Sequence, residues 1–79
     1  MELPTAQQLR WQCRRGMLEL DLIFEEFLDQ HYEQLSEPLQ RDFVELLNYA
    51  DQDLQQWLLG KSSPADKNML NIIERILQH

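Results

Sequence analysis

Arg14-Arg15-Gly16-Met17-Leu18-Glu19-Leu20-Asp21 brings opposite charges, a glycine and the start of an apolar pattern into one short stretch, and its reading divides the chain. The segment before it is short, and the rest of the chain after it reads as helix. Two arginines close an N-terminal helical pattern, where cations complement the free carbonyls of a helix C-terminus. Gly16 lacks a Cβ, so it suits either positive φ as the C′ residue of that helix or the N-cap of the next one. In the second case Glu19 falls at N3, with its carboxylate facing the first free N–H groups and the positive end of the helix dipole. Under these rules every residue of the stretch has a job in joining two helices.

Upstream, Thr5 after Pro4 is an N-cap candidate for a helix of about ten residues that runs through Leu9 and Cys13 to Arg15. Leu9 and Cys13 share one face. Trp11 falls off that stripe, so its indole is either buried on a second side or partly exposed; an exposed tryptophan beside arginines is a candidate contact residue.

Downstream, the spacing predicts a helix from about Met17 to Tyr32. Leu20, Phe24, Phe27 and His31 repeat at heptad-like intervals, and Ile23, Leu28 and Tyr32 widen the stripe to that of a central helix, expected to be the longest. Asp21, Glu25, Glu26, Asp29 and Glu33 occupy its other side. Ser36 as N-cap, with Pro38 in the first turn, opens a third helix with Leu39, Phe43, Leu46, Leu47 and Ala50 inward. Asp51 or Gln52 opens a short fourth helix that turns Leu54, Trp57 and Leu58 inward and is closed by Gly60 as C′. Ser63 as N-cap, Pro64 at N1 and Asp66 at N3 start the last helix, whose stripe is Met69, Ile72, Ile73, Ile76 and Leu77. No alternating period appears, so strands are not expected. The expectation is an all-α fold: a single domain over residues 1–79, built as a small bundle of about five short helices.

At 79 residues the chain buries little more than about 60% of its unfolded surface, which leaves room for one small core and no secluded catalytic chamber. A formal net charge of −7 argues against nucleic acid, because neutralising phosphates takes clustered Lys and Arg. The charge is also uneven: residues 19 to 53 carry eleven acids against Arg41 alone, whereas Arg10, Arg14 and Arg15 before them face only Glu2. Such a two-faced surface suits docking to a protein that is itself charged in patches. Cys13 is the sole cysteine, which rules out an internal disulfide framework and fits a reducing compartment. The longest apolar runs, Leu22-Ile23-Phe24 and Trp57-Leu58-Leu59, fall far below membrane-spanning length, and no basic and apolar leader opens the chain, so no membrane insertion and a cytoplasmic location are expected.

Chemistry is sparse. His31 and His79 are the only histidines and belong to no metal-binding spacing, so no metal is expected. Asp21 with Glu25, and Glu25 with Asp29, are four apart, but a solvated acidic face accounts for them. With Gly16 and Gly60 as its only glycines, the chain has no phosphate-cradling loop of the P-loop or dinucleotide type, and neither tight binding of a dinucleotide nor catalysis by its own residues is expected.

The string Cys13-Arg14-Arg15-Gly16-Met17-Leu18-Glu19-Leu20-Asp21, in which Arg15-Gly16 is followed by Glu19, resembles the signature of the SdhE family of succinate dehydrogenase assembly factors, also called flavinators. The similarity extends over most of the chain and takes in Trp11, the acidic helix, and Asp51-Gln52-Asp53-Leu54 with Trp57-Leu58. It implies an assembly factor, not an enzyme, acting on the flavoprotein subunit of succinate dehydrogenase or of bacterial fumarate reductase and promoting covalent attachment of FAD to a client histidine. The FAD then belongs to the client, and this chain holds no cofactor tightly. The partner-binding residues implied are Arg15, Gly16 and Glu19 in the motif, Arg14 and Asp21 flanking it, and Trp11 before it. Gly16 would allow close backbone approach, Arg15 would offer a forked pair of hydrogen bonds to a client carboxylate, and Glu19 would accept from a client donor. That role requires the arginine and the carboxylate to point outward. A monomer is expected. The alternative, a label also attached to this family, is an antitoxin-like or regulatory interaction module without a flavin role.

Overall fold

Thr5 starts the first helix by satisfying two of its free ends at once. In a computed structural model, which describes residues 3–78, the Thr5 hydroxyl accepts from the Gln8 N–H while the Gln8 side chain accepts from the Thr5 N–H. This capping box opens α1 (Ala6–Cys13), which turns Leu9 and Cys13 into the core. Glu2 and His79, both weighed in the sequence, lie outside the described residues. α1 stops two residues earlier than expected because Arg14 already takes an extended conformation (φ −85°, ψ 110°).

The longest helix is α2 (Leu18–Gln30), and it buries Leu20, Phe24, Phe27 and Leu28. It does not continue to Tyr32: the chain tightens there into a single 3₁₀ turn, Tyr32–Gln34. Tyr32 is tied to segments outside α2 through two of its polar groups, while its carbonyl also accepts from Leu35 N–H in the turn. Its hydroxyl donates to the Pro4 carbonyl at 2.7 Å, and its own carbonyl accepts from Gln40 Nε2 at 2.9 Å. Burial raises the pKa of that phenol, so it stays a donor.

α3 (Glu37–Leu46) follows Ser36, which stands at the N-cap by backbone conformation although its hydroxyl caps nothing. Phe43 is the aromatic hub of the bundle, with its ring centroid 6.0 Å from Phe24, 5.2 Å from Phe27 and 5.6 Å from Tyr32. Ala50, expected inside, is exposed: α3 has ended by Leu46, and Ala50 serves as N-cap of α4 (Asp51–Leu58). Gly60 ends α4 as read from the sequence. At φ 77° it lets its own N–H reach the Trp57 carbonyl and the Lys61 N–H reach the Gln56 carbonyl, the paired bonds of a Schellman motif.

The last helix, α5 (Lys67–Leu77), begins later than Ser63. Asp66 is the N-cap instead, and its carboxylate accepts from the N–H groups of Asn68 (2.8 Å) and Met69 (3.2 Å). Pro64 is buried in the approaching loop, and a carboxylate that answers two donors prevails over a serine one turn earlier. Met69, Ile72, Ile73 and Ile76 line the core, while Leu77 is exposed.

α1 lies on α2, α3 on α5, and α4 touches both α2 and α5, so one apolar cluster runs through all five helices. The radius of gyration, 11.5 Å, equals the roughly 11.6 Å expected of a compact chain of this length. Among the described residues there is no strand and no helix long and apolar enough to cross a membrane. Replacing the Asp66 cap tests the start of α5: Asp66→Ala is expected to cost about 0.5–2 kcal/mol, read as a lower midpoint in urea, whereas Ser63→Ala leaves the midpoint unchanged within error.

Candidate functional site

Between α1 and α2 the chain makes a corner from four residues, each placed for a different reason. Arg14 and Met17 are extended, and Gly16 sits between them at φ 75°, a left-handed conformation that costs other residues about 1–2 kcal/mol. Gly16 is therefore neither C′ nor N-cap. Met17 is the N-cap, without a side-chain bond, and Glu19 falls at N2 rather than N3. α2 has no side-chain cap; instead Asp21 Oδ1 accepts from the Arg15 N–H at 2.8 Å and ties the corner to the first turn of the helix. Glu19 and Asp21 both lie where the helix dipole favours negative charge.

Arg15 is the main correction to the sequence reading. Its side chain is only 14% exposed and is committed inside the molecule. Nη1 donates to Asp51 Oδ1 at 2.9 Å and to the Tyr49 carbonyl at 3.4 Å, and Nη2 donates to the Leu47 carbonyl. The guanidinium thus answers carbonyls in the turn after α3 and the first residue of α4, while its buried Nε has no hydrogen-bond partner. The forked geometry expected for a client carboxylate is spent on the protein's own backbone. Asp21, half-buried and bonded to the corner, is likewise turned to an internal task.

The other residues singled out by sequence remain at the surface. Trp11 is 78% exposed, and the Arg14 guanidinium lies 5.6 Å from its ring centroid, a cation–π contact. A Cβ at Gly16 would meet no atom within 4 Å, so the backbone there is open. Glu19 is exposed and pairs with no cation among the described residues. Two residues that the sequence reading passed over join them: Leu18 at 75% and Leu22 at 57% exposure. Their signal was available, since they are four apart and off the Leu20, Phe24, Phe27 stripe.

Nearby, Arg10 crosses from α1 to α2, pairing with Asp29 at 2.6 Å and Glu25 at 3.7 Å; the Asp29 bond, then its charge, raises the arginine's already high pKa. Cys13 beneath the corner is buried, and burial pushes its thiol up to about 12. No cluster of His, Cys, Asp and Glu with metal-holding geometry occurs among the described residues. The corner offers an open glycine, an exposed aromatic stacked with a cation, a carboxylate and two exposed leucines. That set is suited to holding another polypeptide.

Fold and corner together define a small helical module built around a presented turn. The sequence profile of the Sdh5 family, flavinator of succinate dehydrogenase, matches residues 7–79, and the chain belongs to that family. It is 42% identical over 72 residues to the FAD assembly factor SdhE of Vibrio vulnificus, covering 91% of this chain and 84% of that protein. It is 43% identical over 75 residues to the protein of that name from Idiomarina loihiensis, covering 95% and 83%. With the Coxiella burnetii protein of that name it shares 39% identity over 79 residues, covering 99% and 96%.

Arg15→Ala is expected to lower stability by about 2–3 kcal/mol in urea denaturation, from the loss of charge-assisted bonds. Arg15→Lys should regain less than half of this, because an ammonium cannot span Leu47, Tyr49 and Asp51 as the planar fork does. An alanine variant as stable as the wild type would place the guanidinium at the surface. For Cys13, a thiol pushed up to about 12 is ionised in about one molecule in ten thousand at pH 8, so a thiolate-directed reagent should react slowly until urea unfolds the chain.

Proposed function

We propose that this chain binds the flavoprotein subunit of succinate dehydrogenase, or of the related fumarate reductase, and promotes covalent attachment of FAD to it. The observation that carries the reading is the corner itself: the Arg15-Gly16…Glu19 turn is open at Gly16 and Glu19 and held from beneath by Arg15 and Asp21. Family membership supports it, as do relatives named FAD assembly factor.

The chain acts through differential binding. It favours the client conformation in which the client's histidine and the 8α carbon of the flavin approach each other, while the client supplies the reacting groups and holds the FAD. Gly16 allows the client surface to come against bare backbone. Glu19 accepts from a client donor, and Arg14 with Trp11 gives a broad polar and aromatic contact. Arg15 and Asp21 fix the shape that those residues present.

Reconstitution tests the reading: apo flavoprotein, FAD and this chain should give covalent flavinylation faster than flavoprotein and FAD alone. Gly16→Arg should abolish the acceleration. The site is open but left-handed, so the variant should keep its helical circular dichroism and lose about 1–2 kcal/mol, some 4–8 °C of melting temperature per kcal/mol. Loss of the helical signal would instead assign Gly16 to folding alone. Capture of a small toxin in place of a flavoprotein would favour the regulatory alternative.

A further inference from the structure

Leu18 and Leu22 are exposed in a protein with a small core and little apolar material to spare. With Trp11 they make three of the four large hydrophobic side chains exposed among the described residues, and all three border the same corner; the fourth, Leu77, lies at the end of α5. They are also connected. One shallow groove runs from Trp11 past Arg10 and Arg14, a second continues from Arg14 between Leu18 and Leu22, and a third opens on the far side of Leu18 toward Leu59 on the α4 side. Leu18 is the ridge between two of them.

Ordinary solubility does not account for this arrangement. A single exposed leucine is commonplace, but two leucines, an indole and an arginine set along adjoining grooves have the composition of a binding hot spot. The charges around the strip restrict what can cover it. α2 carries Glu19, Asp21, Glu25, Glu26 and Asp29 and no cation of its own; of the two arginines that line the grooves, Arg10 is already paired with Asp29 and Glu25, and Arg14 lies against the Trp11 ring at the other end, which leaves the Leu18–Leu22 side acidic. A second copy of this chain would bring the same acidic helix against itself, at a cost in like-charge repulsion. A segment with apolar side chains and a cationic flank meets leucines and carboxylates together.

We propose that Leu18 and Leu22, with Trp11, form an apolar anchor for a segment of the client flavoprotein that presents apolar side chains flanked by Lys or Arg. The proposal rests on the assembly-factor reading and extends its footprint along α2 to Leu22, past the last residue of the motif. The anchor supplies affinity, and the Gly16–Glu19 corner supplies the geometry that speeds attachment. A partner straddling Leu18 places its backbone beside Gly16, two residues away.

The test is titration of full-length apo flavoprotein with the intact chain and with the double variant Leu18→Ser/Leu22→Ser, measuring affinity and covalent FAD incorporation. Both residues are largely exposed, so the variant should melt within a few degrees of the wild type. Expected is at least a tenfold loss of affinity, with the flavinylation rate restored at saturating variant, and a wild-type affinity that falls between 50 and 300 mM salt. Unchanged affinity in the variant overturns the anchor while leaving the function standing. A salt-independent affinity overturns the cationic flank. A wild-type dimer in sedimentation that the double variant converts to monomer makes a second copy the occupant and overturns the proposal. Failure of the wild type to accelerate flavinylation at all would sink the functional reading instead, and the anchor as a client site with it.

Discussion

The guanidinium of Arg15 is the tie on which the corner between α1 and α2 depends. Among the described residues five helices share one small core, and the turn linking the first two packs on that core through Met17. A chain of this size has few ways to hold such a turn in one shape. Arg15 does it at a distance, reaching the carbonyls of Leu47 and Tyr49 and the carboxylate of Asp51, residues more than thirty positions away in sequence. The partly exposed ion pair with Asp51 adds little in water, so the carbonyl bonds matter more. An arginine suits the place because its planar fork answers several acceptors at once.

The result is a division within the motif that its letters do not advertise. Arg14 points out, Arg15 in; Gly16 is open, Met17 packed; Leu18 and Glu19 are exposed, Leu20 buried, and Asp21 bent back to the Arg15 N–H. The inward members fix the backbone and the outward ones are presented on it. A turn held by hydrogen bonds at both ends loses less freedom when a partner arrives, which makes each outward contact more effective than the same side chain on a loose loop.

How far the sequence could be read depended on how local each cause was. The Thr5 and Gly60 caps were legible because their partners lie within four residues, and Leu9, Leu20, Phe24, Phe43, Leu54 and Ile72 followed from helical period. Arg15 was misread as outward because its partners belong to a turn that approaches only after the bundle closes; no rule of spacing encodes that. Ser63 and Asp66 were both competent caps three residues apart, and the choice went to the one that answers two N–H groups. Leu18 and Leu22 were visible as residues off the stripe, but only the fold shows that α4 leaves them uncovered.

Apolar and polar contacts also differ in what they contribute to an assembly factor. In the proposed complex, leucines and an indole would bind any client conformation that offers apolar surface, raising occupancy without favouring the reactive arrangement. Hydrogen bonds and close backbone approach fall off steeply with distance and angle, so in the proposed complex Gly16 and Glu19 would distinguish client conformations that the leucines would not. Rate enhancement without chemistry from this chain requires such discrimination, because a partner that binds two states equally shifts neither. A rigid polar corner set beside an adaptable apolar strip meets both needs. On that reading the corner is secured by an internal arginine, and the two leucines beside it stand on the open face of α2.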